Sequence, residues 1–232
     1  MVSVMSREID TMFSEIHKDY DRMNTIMSMG FDRRWRDEAA KESMIDRERF
    51  RLLDVACGTG ELAIRIEEIG RHLGKSIDII GMDFNRDMLR IANGKLADGI
   101  SGVSFERGDA IRMRYRSSSF DVVTSGFALR DFDSTERFAK ESYRVLRRGG
   151  KIVLLDMSKP NSAVSDLFFK AYFGIMRLEG LFVNNDAYNF LVNSIKSFDI
   201  ERFRGELEDA GFRRVRVRRL TFGVAFLITG YK

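Results

Sequence analysis

Gly58, Thr59 and Gly60 close an apolar run, and a carboxylate, Asp83, stands 23 residues beyond Gly60. Taken through to Ala63, the segment has the form G-x-G-x-x-A, the spacing of a dinucleotide-binding turn. The glycines let backbone approach a ligand, and a carboxylate after the next strand accepts both hydroxyls of a ribose. That physics serves any adenosyl ligand, so two further acidic residues narrow the choice. Asp54 precedes Gly58 by four residues. A carboxylate there repels a pyrophosphate but suits a cation, such as the amino group or sulfonium of S-adenosylmethionine. Asp109, in Gly108-Asp109-Ala110, offers an acceptor for an adenine amino group. Singly, Asp54 reads equally as a loop-positioning residue and Asp109 as a turn former. In order along one chain, the elements point to S-adenosylmethionine rather than NAD. Cys57, beside Gly58, reads as a small buried residue of the turn and not as a nucleophile.

The elements that must position these residues alternate. Arg51–Ala56 reads as a strand, Glu61–Leu73 as a helix, Ile77–Met82 as a strand and Asp87–Leu96 as a helix. Strands follow at Val103–Arg107 and Phe120–Ser125. Ser134–Leu146 reads as a helix stopped at Gly149-Gly150, before a fifth strand at Lys151–Asp156. Asp199–Ala210 reads as a helix capped by Gly211, followed by strands at Phe212–Arg219 and Phe222–Gly230. Such alternation predicts a mostly parallel, seven-stranded sheet with helices on both faces and a ligand beyond the carboxyl ends of its strands. Ahead of it, Ile9, Met12, Phe13, Ile16, Tyr20, Met23 and Met27 recur at helical steps, with Gly30 as the stop. After Pro160 the run 163–183 is apolar around most of a helix, which predicts burial or a cover over something apolar. The expected organisation is one domain over 1–232: an N-terminal helical cap at 1–49, a cofactor-binding core at 50–160, a substrate-side helical insert at 161–198, and a C-terminal helix and strand pair at 199–232.

Composition excludes several alternatives. One Cys allows no internal disulfide or multi-thiolate metal site, and two His, His17 and His72, do not make a His-rich metal centre. No segment reaches the roughly 18 apolar residues of a membrane span. Arg7, Glu8, Asp10 and Glu15 are foreign to a secretory signal, so a cytoplasmic protein is expected. The net charge of +4 is modest, but Arg213, Arg214, Arg216, Arg218 and Arg219 alternate with Val215 and Val217. This strand reads either as an edge protected by charge or as contact with an anionic surface, membrane or nucleic acid.

LDVACGTGELA, GMDFNRDML, GDA, FDVVTSGFALRDF and RVLRRGGKIVLLDMSKP together resemble a class I S-adenosylmethionine-dependent methyltransferase with its Rossmann-like sheet. More narrowly the chain is similar to the UbiE-type C-methyltransferases of menaquinone and ubiquinone biosynthesis. MFSEIHKDYDRMNTIMSMGFDRRWR near the start, YNFLVNSIKSF at 188–198 and the ending LTFGVAFLITGYK extend the resemblance along nearly the whole chain. It implies S-adenosylmethionine as cofactor and S-adenosylhomocysteine as product, with contacts at Thr59, Asp83-Phe84, Asp109-Ala110 and the Ser125-Gly126 step. It also implies methyl transfer to a ring carbon of a polyprenyl quinol, with demethylmenaquinol favoured.

Such a carbon becomes nucleophilic when a ring hydroxyl is deprotonated, and needs no metal and no covalent enzyme intermediate. Arg130 is expected beside the developing phenolate, where a guanidinium favours the ionised ring; a salt bridge holding a loop is its other reading. Asp131, His17 or Tyr20 is expected to accept the proton, directly or through water. The family usually carries Asn where Asp131 stands, which exchanges an amide for a pure acceptor. A lipid-like substrate leaves peripheral membrane contact open, as the apolar insert leaves a homodimer. Methylation of another apolar small molecule keeps every cofactor residue and changes only the cap. A basic nucleic-acid-binding module is the reading from another class; no base-methylating N-P-P-Y motif is present and acidic residues balance most of the charge, so no nucleic acid is expected.

Overall fold

The protein is described as a computed structural model, in which Thr25, Ser28 and residues 30–96, 100–159, 194, 195 and 197–232 are described. Seven strands form a single sheet in the order β3-β2-β1-β4-β5-β7-β6. They are β1 (Arg49–Val55), β2 (Ser76–Asp83), β3 (Val103–Arg107), β4 (Phe120–Gly126), β5 (Leu146–Met157), β6 (Arg213–Leu220) and β7 (Ala225–Tyr231). Strands β1 to β5 pair in parallel, while β7 runs antiparallel between β5 and β6. The helices are α1 (Phe31–Glu42), α2 (Glu61–His72), α3 (Arg86–Gly94), α4 (Thr135–Val145) and α5 (Ile200–Asp209). The chain winds outward from β1 through β2 to β3, then returns to the other side of β1 as β4. That reversal opens a crevice at the carboxyl ends of β1 and β4, where open α/β sheets bind ligands.

The central strands are buried on both faces, as parallel strands covered by helices must be. Their period of two divides the core. Leu52, Val122, Val153 and Leu155 pack with Trp35, Ala39, Leu62 and Ile66 of α1 and α2. Leu53, Val123, Ile152 and Leu154 pack with Phe138 of α4 and with Phe203 and Leu207 of α5 on the opposite face. Polar residues at the strand ends inherit the same alternation, which decides the architecture of the site.

The seven strands and the helices α2 to α5 follow the expected order, with differences at boundaries; α1 (Phe31–Glu42) lies within the expected N-terminal helical cap but past Gly30, where the expected helix stops. The fourth helix was expected to run to Leu146 and stop at the glycine pair; instead Leu146 already belongs to β5, which passes through Gly149 and Gly150. Leu146 pairs with Phe120, the register to β4 shifts before Val122, and Gly149 takes φ 77, so the glycines carry an irregularity inside a strand. A Cβ on Gly150 would lie 2.8 Å from the Arg147 carbonyl oxygen. Gly30, expected only as a helix stop, donates its N–H to the Thr25 carbonyl and also stands at the N-cap of α1 with φ 75. Most of the expected 9–27 helix, Pro160 and nearly all of the 161–198 insert lie outside the described residues, as do His17 and Tyr20.

Candidate active site

The turn after β1 is built by its backbone. Ala56 and Gly58 adopt φ 52 and 54, and Gly60 adopts φ 80 as the N-cap of α2. The two glycines have different neighbours. A Cβ on Gly58 would meet nothing within 4 Å, so this residue presents open backbone to the cavity. A Cβ on Gly60 would meet Phe105 Cζ at 2.4 Å. Gly60 therefore serves the packing of α2 on β3, and it does not line the cavity.

Asp83, at the end of β2, accepts the Gly58 N–H at 2.8 Å on Oδ2 and the Asn85 N–H at 2.9 Å on Oδ1. A carboxylate oxygen accepts more than one hydrogen bond, so a ribose hydroxyl pair suits this carboxylate at the end of β2. Asn85 in turn caps α3, its Oδ1 accepting from the N–H groups of Asp87 and Met88. Phe84 lines the cavity between them, with its carbonyl accepting from Arg107 Nε at 3.0 Å. Across the opening, Asp109 is exposed and its Oδ1 accepts the Ile111 N–H, which shapes the Asp109-Ala110 turn.

Asp54 is almost fully buried, on the α1/α2 face of the sheet. Its strand neighbour Thr124 donates Oγ1–H to Oδ1 at 2.7 Å, while Oδ2 has no hydrogen-bond partner. Burial pushes its carboxyl up to about 7; the Thr124 hydrogen bond opposes this, Asp83 adds to it, and the Arg36 guanidinium opposes it again. A buried carboxylate oxygen without a partner is costly, and Asp54 lines a cavity of about 1020 Å³ together with Gly58, Thr59, Asp83, Phe84, Asp109, Ala110, Gly126 and Asp131. This donor set fits a ligand that carries a cation near Asp54 and neutral polar groups toward Asp83 and Asp109. The Cys57 thiol is held well above its ordinary range by burial and by the nearby Asp83 and Asp54 carboxylates, which suits a packing role.

On the opposite face the alternation places Ser125 and Asp156. Ser125 is fully buried, its Oγ has no hydrogen-bond partner, and it does not line the cavity, whereas Gly126 does. Past Gly126 the chain turns sharply: Phe127 takes φ 62, a costly conformation for an aromatic residue, held by its N–H to the Leu155 carbonyl at 2.7 Å and by the Arg36 guanidinium 5.0 Å above its ring. A 3-10 turn at Leu129–Asp131 follows. Arg130 Nε donates to Asp156 Oδ1 at 2.7 Å and its Nη1 donates to Ser194 Oγ at 2.8 Å. Asp156 also accepts the N–H of Leu129 at 2.9 Å and of Met157 at 2.6 Å. Arg130 is thus a buried strut and is not among the residues that line the cavity. Asp131, next to it, does line the cavity, and burial pushes its carboxyl up to about 6 against the pull of Arg130.

The profile of the ubiE/COQ5 methyltransferase family matches residues 1–232. The chain belongs to that family. It is a methyltransferase of the S-adenosylmethionine-dependent kind, with the Rossmann-like sheet of that class. The demethylmenaquinone methyltransferase of Deinococcus radiodurans is 38% identical over 228 residues, covering 97% of this chain and 92% of its own length. The ubiquinone/menaquinone biosynthesis C-methyltransferase UbiE of Pseudomonas paraeruginosa is 34% identical over 236 residues, covering 99% and 91%. Among solved structures, a SAM-dependent methyltransferase of Thermotoga maritima shares the fold with a TM-score of 0.67 at 19% identity, over 95% of this chain and 98% of that one.

Arg36, Phe127, Thr124 and Asp156 are the residues of this methyltransferase site that sequence reasoning missed. Arg36 lines the cavity from α1, and its Nη1 is paired with Asp32. Only for Asp156 was a signal available: a carboxylate ends the apolar run KIVLLD at the carboxyl end of a central strand. Among the described residues, no group of three or more His, Cys, Asp or Glu forms a metal site.

Proposed function

We propose that this methyltransferase transfers a methyl group to a ring carbon of a polyprenyl quinol, demethylmenaquinol in the first place. The observation that carries this reading is the 38% identity, over 97% of the chain, to a protein named demethylmenaquinone methyltransferase. When bound, S-adenosylmethionine supplies an electrophilic methyl carbon on a sulfonium. Asp54 holds its cationic part, Asp83 its ribose hydroxyls and Asp109-Ala110 its adenine edge, while Gly58, Thr59, Phe84 and Gly126 shape the walls. Gly60 and Ser125 act behind them, through packing.

In this chain Asp131 accepts the proton of the ring hydroxyl, a role that the Asn usual at this position in the family does not fill. It faces the cavity, and a value of about 6 leaves it mostly ionised at neutral pH yet basic enough to share a phenolic proton. Arg130 keeps Asp131 anionic at short range while Asp156 holds the guanidinium in place. His17 and Tyr20 remain candidates for relaying that proton from the N-terminal segment. The ring carbon, enriched in electrons by the lost proton, would take the methyl group in line as its bond to sulfur breaks and S-adenosylhomocysteine leaves; loss of the hydrogen on that carbon to solvent restores the aromatic ring, and positioning supplies much of the acceleration. A quinol with a long apolar tail is embedded in lipid, so the reading includes peripheral membrane contact; no helix among the described residues is long and apolar enough to cross a membrane.

The test is transfer of labelled methyl from S-adenosylmethionine to chemically reduced demethylmenaquinone in detergent, beside an oxidised control. Label in the lipid only after reduction is the expected result. No transfer by a protein that binds S-adenosylmethionine overturns the acceptor assignment.

A further inference from the structure

We infer that the turn joining β6 to β7, with Phe222 at its tip and the arginines of β6 behind it, docks the protein on an anionic lipid bilayer at the edge of the sheet where the cavity lies. The function of such a surface rests on the quinol reading above; its geometry does not.

Phe222 is 86% exposed, the most exposed large hydrophobic residue among those described. It is held outward by backbone: Thr221, Phe222 and Gly223 take φ 42, 55 and 87, three successive left-handed residues. Two of these are side-chain-bearing residues that pay for this conformation. The turn is fastened beneath the tip. Thr221 Oγ1 accepts from Trp35 Nε1 at 2.7 Å, and Ser158 Oγ donates to the Gly223 carbonyl at 2.7 Å. An aromatic ring fixed in water by a strained but well-anchored turn gains by leaving water.

Topology places the tip. Strand β6 is antiparallel to β7, which is antiparallel to β5, so β6 ends at the same edge as β5. That edge holds the carboxyl ends of β1 and β4 and the cavity between them. The connection is physical: Trp35 stands 6.3 Å from Phe127, which lines the cavity, and Leu220 and Val224 join the same apolar cluster.

Charge supplies the second signal. β6 is the outermost strand; Arg219 is exposed next to the turn and Arg216 at mid-strand, while Arg213 and Arg214 are exposed at the far end of β6 and do not belong to the patch at the tip. Arg218 is paired with Glu38 at 2.8 Å, and among the described residues the other four have no acidic partner. One apolar anchor or one basic patch binds a membrane weakly, and stable attachment takes both. Each guanidinium close to an anionic leaflet raises partitioning by about fivefold. Arginines and an aromatic also suit nucleic acid, but that partner does not explain the placement beside the cavity of an enzyme acting on a lipid.

The chain has a single tryptophan, Trp35, which is buried and whose own emission should not move with vesicles, so Phe222→Trp adds a reporter at the tip whose response is read as the difference from the wild type. Its emission is expected to shift to the blue with phosphatidylglycerol vesicles and not with phosphatidylcholine vesicles. In co-sedimentation, Phe222→Ser and the pair Arg216→Glu/Arg219→Glu are each expected to lower partitioning at least tenfold, with the wild-type affinity falling as salt rises. Methyl transfer to reduced demethylmenaquinone in detergent should be unchanged in all three. An unshifted reporter, equal sedimentation of wild type and variants, or a shift produced by polynucleotide in place of vesicles overturns the proposal. Vesicle binding that depends on these residues in a protein inactive on the quinol would leave the docking surface standing and remove the acceptor reading.

Discussion

Asp54→Asn separates a ligand-binding carboxylate from a merely structural one. Burial holds the Asp54 carboxyl at about 7 against an ordinary 3.8, because loss of hydration outweighs the hydrogen bond from Thr124. The gap corresponds to roughly 4 kcal/mol against the ionised form. A cation arriving at Oδ2 offsets part of it and binds only the carboxylate. Affinity for S-adenosylmethionine should therefore rise by up to tenfold per pH unit from about 5.5 and level off near 7. The ligand's α-amino group loses its proton near 8, which brings affinity down again if that group is the partner. Isothermal titration across pH 5.5–8.5 reads the curve. In Asp54→Asn the acid flank should vanish, and affinity at pH 7.5 should fall roughly 10- to 150-fold, the 1.5–3 kcal/mol of a hydrogen bond to a charged group. S-adenosylhomocysteine keeps the amino group and lacks the sulfonium charge, so persistence of its acid flank assigns Asp54 to the ammonium and loss assigns it to the sulfonium. The ligand-free protein gives a second readout with a definite sign. A carboxyl raised on folding contributes stability that is full below about 4 and lost as pH rises through about 7, so wild-type stability in urea should decline over that window and the Asn variant should decline less. An affinity independent of pH between 5.5 and 7, or an Asn variant that binds as tightly as wild type, refutes the reasoning.

Asp131→Asn should leave S-adenosylmethionine affinity within about twofold and lower turnover by about 10²-fold, removing the kinetic flank near pH 6; a pH–rate profile of methyl transfer identical to wild type would reassign the base. Asp156→Ala strands the Arg130 guanidinium in the interior and should cost about 3–5 kcal/mol, seen in urea unfolding, while Asp156→Asn, which keeps one acceptor oxygen for either the Arg130 side or the Leu129 N–H but not for both, should cost less; equal stability of all three proteins would show that the strut is idle. Gly60→Ala drives a Cβ into Phe105 at a left-handed φ and should destabilise by more than 1 kcal/mol, with Phe105→Leu recovering part of the loss in a double-mutant cycle. Simple additivity in that cycle would place the strain in φ alone.

The sheet and its ligand edge were legible because strands buried on both faces read as apolar runs, and because glycines and carboxylates accumulate at their carboxyl ends. Gly58, Asp83 and Asp109 follow from local pattern: a turn, an acid after β2 and an acid after β3 are each within a few residues of a recognisable strand. Gly60 carries the same motif, yet its glycine requirement comes from Phe105 on β3, a contact that spacing cannot show. Arg130 reads in sequence either as a cation beside a phenolate or as a salt bridge holding a loop, and the sequence names no partner. Its partners Asp156 and Ser194 are 26 and 64 residues away, and only the packing of β5 and of the segment before α5 against the β4–α4 connection engages it.

The chain by itself determined the order of elements, the nucleotide edge and the likeness to a methyltransferase family, since these depend on periodicity and on residues near one another in sequence. Tertiary structure decided which carboxylates are available. Asp54, Asp131 and Asp156 are chemically alike in sequence, but the two-residue alternation of the strands and the burial of each site make them different. Asp54 lines the cavity and keeps a buried oxygen without a hydrogen-bond partner, Asp131 faces the cavity with a raised affinity for protons, and Asp156 is engaged by a guanidinium and by backbone N–H groups. Desolvation and hydrogen-bond partners are properties of three-dimensional neighbourhoods, so no pattern of residue types along the chain records them.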